Sequence, residues 1–114
     1  MQDVNSFASI QDCSSRPWLD CALSAQTNFV AAVTAALDAR ARVHNAVAVG
    51  GAARATLCLA AGVPEETISF GFVGGALSKF FVTMSGRTET TCAALRTPSE
   101  VATWVLAAAR QFAS

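Results

Sequence analysis

Hydrophobic residues in the first half of the chain recur with the spacing of a helix. Intervals of four and three residues separate Leu19, Leu23, Gln26, Val30, Val33 and Leu37. This is the period of a packed helix face, interrupted once by a polar residue. Pro17 stands where a first helical turn begins. The pattern predicts a helix over 17–41, although Thr27 can instead cap a shorter helix that begins near Phe29.

The residues before this helix are polar and carry few apolar side chains. Val4, Phe7 and Ile10 are spaced for neither a strand nor a strong helix face. We therefore expect an irregular N-terminal arm over 1–16, in which 7–10 can form a short edge strand.

The middle of the chain contains one ambiguous segment. A short apolar strand is predicted for 44–49, ending at two glycines. The next segment, 52–61, is rich in Ala and is followed by Gly62 and Pro64, which are helix stop signals. Its apolar residues also alternate, which would make it a strand and the two glycines a hairpin turn. Because Ala favours helices, the helix is the preferred interpretation.

The last third of the chain alternates more clearly. Strands are predicted for 67–73, 76–84 and 88–95, with glycines between them. In the middle strand Phe80 shares one face with two other apolar residues. The opposite face carries Lys79, Phe81 and Thr83, and we expect it to be either covered by a helix or offered to a partner.

A capping box marks the start of a final helix. Thr97 stands at the N-cap, Pro98 at the first helical position and Glu100 at the third. The buried stripe of this helix is expected to consist of Val101, Trp104, Val105, Ala108 and Phe112. The element order predicts a single α+β domain over 1–114. In it, an antiparallel sheet of about four to five strands packs against a long N-terminal helix and a C-terminal helix.

The scarcity of charge is the main functional signal. Charged residues make up 14% of the chain, and the net charge is zero, whereas an average soluble domain has about 25%. Such a surface is commonly a contact surface, although compositional drift toward Ala and Arg would give the same numbers. We expect a non-catalytic protein–protein interaction module, a self-associating oligomer or scaffold subunit. A subunit of a virus or filament is a further alternative. The expected contact residues are Gln26, Val30, Val33, Lys79, Phe81 and Thr83.

Composition argues against several other classes. The eight basic residues are scattered and balanced by eight acidic ones, which disfavours nucleic-acid binding. No apolar run reaches the roughly 18–20 residues of a membrane span. Because the N-terminus does not resemble a signal peptide, a cytoplasmic location is expected.

The cysteines give no metal-binding pattern. Cys13, Cys21, Cys58 and Cys92 include no C-x-x-C pair, and His44 is the single histidine. We expect no metal, no cofactor and buried thiols. A disulfide between the first two cysteines, and a cysteine paired with the histidine as a nucleophile, are the alternatives.

The two adjacent glycines form the other candidate site. If 52–61 is a helix, Gly50 and Gly51 open it, and their backbone N–H groups together with Arg54 can bind an anion such as a nucleotide phosphate. This would make the chain a small-ligand binding protein or a small enzyme, with His44 or a cysteine taking part. Two glycines are far fewer than a phosphate-binding loop requires, so a simple turn is the preferred interpretation.

Overall fold

The computed structural model describes residues 23–73, 76–91 and 96–114. They form two helices and five strands, in the order α1 (Leu23–Asp38), β1 (Arg42–Val49), β2 (Ala52–Cys58), β3 (Glu66–Val73), β4 (Ala76–Met84), β5 (Arg87–Thr90) and α2 (Pro98–Ala113). The predicted arm over 1–16 lies outside the described residues. So do three of the four cysteines and the last part of the strand predicted for 88–95.

The strands form one antiparallel sheet in which chain order is also spatial order. Each strand pairs with its sequence neighbours, so β1 and β5 are the two edges of the sheet that the described residues form. α1 packs mainly over β1 and β2, and α2 packs against α1 and β4. The predicted α+β class, with an antiparallel sheet against an N-terminal and a C-terminal helix, is confirmed. The N-terminal helix is shorter in the described residues than the predicted 17–41, because it ends at Asp38.

The preferred helix over 52–61 is wrong, and the alternative strand is correct. In β2 the exposed Arg54 lies between Ala53 and Ala55, which are only 5% and 2% exposed. This alternation allows β2 to pair with β1 on one side and with β3 on the other. The preference of Ala for helices amounts to only a few tenths of a kcal/mol per residue. It is therefore outweighed by pairing on both sides and by burial of the small side chains in the core.

Both helices cover the same face of the sheet. The core between the two layers is apolar, and four phenylalanines lie at its centre, with ring centroids 5.3–6.4 Å apart. They are Phe29, Phe70, Phe72 and Phe80. The aromatic rings, the buried stripe of α1 and that of α2 therefore form a single core.

The predicted capping box of α2 is confirmed. The Glu100 backbone N–H donates to the Thr97 side-chain oxygen at 3.3 Å, and the Thr97 N–H donates to the Glu100 carboxylate at 3.2 Å. Three residues of the predicted stripe, Val101, Val105 and Ala108, are buried, whereas Trp104 and Phe112 are only partly buried. Three further residues are buried that were not predicted: Ala102, Leu106 and Ala109. The reason is that α2 contacts α1 in addition to the sheet.

Candidate functional site at the edge strand of the sheet

The face of the sheet that points away from both described helices is called the outer face here. Directly paired residues of antiparallel strands share a face, so the strand register defines its rows. One row contains Val49, Ala52, Gly71, Phe81 and Thr90, and the next contains Val47, Arg54, Ser69, Thr83 and Thr88. A third contains His44, Thr56 and Thr67. Most of these side chains are short and uncharged.

The most exposed large apolar side chains lie where the outer face meets the β1 edge. Val49 is 76% exposed and Val47 is 61% exposed, whereas Val63, in a loop, is 41% exposed. Within the described residues β1 pairs only with β2. An edge strand with apolar side chains and free backbone groups favours the addition of another strand.

A bulge divides β1 into two parts. The register with β2 shifts between His44 and Val47, and Asn45 has a positive φ of 55°. One extra residue therefore stands in β1 relative to its partner strand, which locally bends and twists the strand. The straight part of the edge is the short segment 47–49, and it contains both exposed valines.

Two of the predicted contact residues on β4 lie on the outer face close to its centre. Phe81 is partly buried and stands opposite Gly71 on β3. Thr83 is also partly buried, and its hydroxyl is 2.8 Å from that of Thr88 on β5. Lys79, the third residue of this set, is exposed. Both described helices pack on the opposite face, so the described part of the chain does not cover Phe81 with a helix.

The predicted contact residues on α1 are placed differently. Val30 and Val33 have 0% exposure, so they belong to the core and not to an outer surface. The reason is that the apolar stripe of α1 faces the protein's own sheet. Gln26 is partly buried, and its side-chain oxygen lies near the Gly50-Gly51 turn, 2.9 Å from where a Cβ on Gly51 would stand. The exposed side of α1 carries Ala31 and Ala35 instead.

The Gly50-Gly51 pair forms the hairpin turn between β1 and β2. Gly50 has a φ of 60°, which suits a tight two-residue turn. Its carbonyl accepts a 2.8 Å hydrogen bond from the Thr27 hydroxyl, and the Gly51 carbonyl accepts one of 2.8 Å from the Phe72 N–H. Since no helix begins after this turn, the helix dipole on which the anion-site prediction depended is absent here. Arg54 points to the outer face from the next strand.

The single histidine forms a surface pair with a carboxylate. His44 Nε2 is 2.7 Å from Glu65 Oε2, and the two side chains are 36% and 47% exposed. On the same face the register places Cys58 opposite Arg42, two residues along from the partner of His44. The thiol itself donates to the Ala60 carbonyl at 3.5 Å. The Nε2 atom of His44 is therefore paired with a glutamate, and the Cys58 thiol is hydrogen-bonded to a backbone oxygen, so the two groups are not paired with each other.

Two other properties bear on the kinds of site available. Within 23–73, 76–91 and 96–114, no three His, Cys, Asp or Glu side chains come together as a metal site requires. Neither described helix is long and apolar enough to cross a membrane.

Comparison with known proteins gives no relative from which a function could be transferred. No protein-family model matches the chain, and no significant match is found among curated proteins or solved structures. The functional argument therefore depends on the geometry of this chain alone.

Sequence reasoning did not single out the most exposed residues of this site. Val47 and Val49 were expected to form part of a short apolar strand, without any indication that the strand lies at the edge. The edge position of β1 follows from the order of all the strands. That order could not be predicted while 52–61 had both a helix and a strand interpretation. The paired glycines followed by alternating residues were the signal that could have revealed it.

Proposed function

We propose that the protein is a non-catalytic protein–protein interaction module whose contact surface is the β1 edge together with the adjoining outer face. The observation that supports this best is the exposure of Val49 and Val47, at 76% and 61%. Both stand on the segment of β1 that pairs with β2 on one side and, within the described residues, has no strand on the other.

The free backbone groups of an edge strand can bind another extended segment. An incoming extended segment gains main-chain hydrogen bonds along the edge, and its alternate side chains contact those of the outer face. Natural proteins usually protect such edges with charged residues or Pro. In β1 the segment 45–49 carries neither. A bulge, which is another such protection, lies between His44 and Val47 and leaves the segment 47–49 paired regularly with β2.

The low charge of the chain supports the same proposal. Removing a charged group from water carries a large free-energy cost unless the charge is paired. The outer-face rows that include Val47 and Val49 contain one ionisable side chain, Arg54, in the described register. A partner can therefore cover this region with little cost of desolvation.

The proposal can be tested by the size of the complexes that the tagged chain forms in extracts of its own cells. Replacing both Val47 and Val49 with Lys should return the chain from a larger complex to the size of the free 11.8 kDa protein. The control is Val63→Lys, which adds one lysine at an exposed loop valine and should leave the complex intact, whereas Val49→Lys, with the same single added charge, should weaken it. If the unaltered chain migrates as the free protein in the extract, the proposed function is wrong.

A further inference from the structure

We infer that the partner at the β1 edge is a second copy of this chain, paired antiparallel about a twofold axis through Ala48. The inference deepens the proposed function and rests on it. The paired edges would join the two sheets into one continuous sheet of ten strands.

The backbone direction at the edge identifies Ala48 as the pairing residue. The Phe72 N–H donates to the Gly51 carbonyl, so the backbone groups of Gly51 face β3. Along a strand these groups alternate between the two sides, and those of Ala52 therefore face its β1 partner, Val49. By the same alternation the N–H and C=O of Ala48 point away from β2, toward the free edge.

A twofold axis through Ala48 makes the edge complementary to itself. Two Ala48 residues would face each other and exchange two N–H···O=C hydrogen bonds, as a hydrogen-bonded antiparallel pair does. Val47 of each copy would then stand opposite Val49 of the other, on the same outer face. Both exposed valines are covered by one symmetry operation, and pairs of β-branched side chains suit such positions.

The helix beside the edge has the surface that this arrangement requires. One side of α1 is fixed along β1: the Thr27 hydroxyl binds the Gly50 carbonyl, and the Asp38 carboxylate accepts from the Val43 N–H at 3.0 Å. Ala31 lies between these two anchors on the same side of the helix, at about the level of Ala48. The exposed Ala31 therefore faces the proposed axis.

Small residues on α1 allow the two copies to approach. Two packed helices lie about 8–10 Å apart, and the shortest distances require small side chains. Between Leu23 and Leu37, α1 contains no ionised residue, so no like charges meet across the axis. The exposed Ala31 and Ala35 leave space for a second helix.

The surface area that a stable dimer must cover also favours a contact that includes both β1 and α1. A specific interface covers about 800 Å² on each partner, which is about an eighth of the 6272 Å² surface of this chain. A short strand edge alone supplies less than this. The edge, the outer-face valines and the exposed side of α1 lie next to one another and can be covered together.

Sedimentation of the purified chain at micromolar concentration is the first test. The unaltered chain should sediment as a species of twice 11.8 kDa. Val49→Lys should weaken this association by at least about tenfold, because it places a charge in an apolar contact. Val63→Lys, with the same added charge in a loop, should sediment as the unaltered chain does, and circular dichroism should show that both variants remain folded.

Disulfide trapping tests the register. In a chain whose four cysteines are replaced by Ser, Val47→Cys and Val49→Cys are made separately, mixed and oxidised. The two positions face each other across the proposed axis, within the reach of a disulfide. The mixture should therefore give mainly the covalent pair of one variant with the other, whereas Val63→Cys mixed with either should not.

The outcomes separate this inference from the proposed function. A purified monomer that joins a larger complex in extracts, in a way that Val49→Lys abolishes, would overturn self-pairing and leave the interaction module standing. A monomer under both conditions would overturn both. A purified dimer in which Val47→Cys links mainly to itself would overturn the Ala48 axis.

Discussion

At the scale of single residues, Gly71 determines how closely β3 can approach the hairpin between β1 and β2. A Cβ at this position would stand 2.4 Å from the Gly51 carbonyl oxygen and 2.5 Å from the Ala52 Cα. Both are backbone atoms, one in the turn and one in β2, and the Gly51 carbonyl is hydrogen-bonded to the Phe72 N–H, so they cannot move without disturbing the sheet. The absence of a side chain at Gly71 is therefore a condition for the register of the central strands.

We expect Gly71→Ala to lower the free energy of unfolding by about 3 kcal/mol, the upper range for overpacking a core. The matched control is Gly62→Ala. Gly62 has a φ of 81° but no atom within 4 Å of an added Cβ, so only the backbone strain of about 1–2 kcal/mol applies. Urea unfolding measures both values. Equal losses in the two variants would contradict the close approach.

At the scale of elements, the capping box in the first turn of α2 is a contact whose contribution to stability can be measured directly. We expect Thr97→Ala to reduce the free energy of unfolding by about 1 kcal/mol, because the Glu100 backbone N–H loses its side-chain acceptor. Thr97→Ser retains the side-chain oxygen and should leave the free energy of unfolding nearly unchanged, since Ser is at least as good an N-cap as Thr. Thermal unfolding of the two variants beside the unaltered chain gives the comparison. A serine variant as unstable as the alanine variant would show that the cap is not the cause.

The elements that the sequence predicts correctly are those with a local cause. The capping box of α2 is a contact between residues three apart, and the face of β4 follows from simple alternation. The sequence favours a helix for β2, because its strand conformation is stabilised by pairing with two other strands and not by its own residues. For the same reason, the sequence places Val30 and Val33 on an apolar stripe of the helix but does not reveal that this stripe packs on the sheet of the same chain.

The candidate site was less predictable than the fold. The two-residue period of a strand assigns Lys79, Phe81 and Thr83 to one face. The register places Phe81 and Thr83 on the outer face, and Lys79, which lies where the register with β3 shifts, is exposed. The exposure of Val47 and Val49 depends on β1 lying at the edge of the described strands, which no short segment of the sequence reveals. The low charge favours a contact surface but does not locate it on the molecule.

At the scale of the whole molecule, exposed and buried valines should respond very differently to truncation. Val33 has 0% exposure and Val49 has 76%. Val33→Ala should cost about 2 kcal/mol, from lost burial of two carbons and the cavity that remains. Val49→Ala should change stability by less than about 0.5 kcal/mol.

The comparison should be made by thermal unfolding at the lowest usable protein concentration, where any association contributes least. If Val49→Ala were as destabilising there as Val33→Ala, Val49 would belong to the fold of the single chain. The interaction surface would then have to be sought elsewhere.

The two edges of the sheet are unlike, and this limits the size of any assembly built through β1. β5 has only four residues, and two of them, Arg87 and Glu89, are charged. It is therefore a poor acceptor for the apolar β1 of a neighbour. A contact of β1 with β1 uses the same patch on both copies, so no β1 edge remains free once it forms. A contact of β1 with β5 would instead leave one free edge at each end of the assembly, where further copies could add. If β1 pairs with β1 as proposed, assembly through this edge ends at a closed pair and does not grow into fibres.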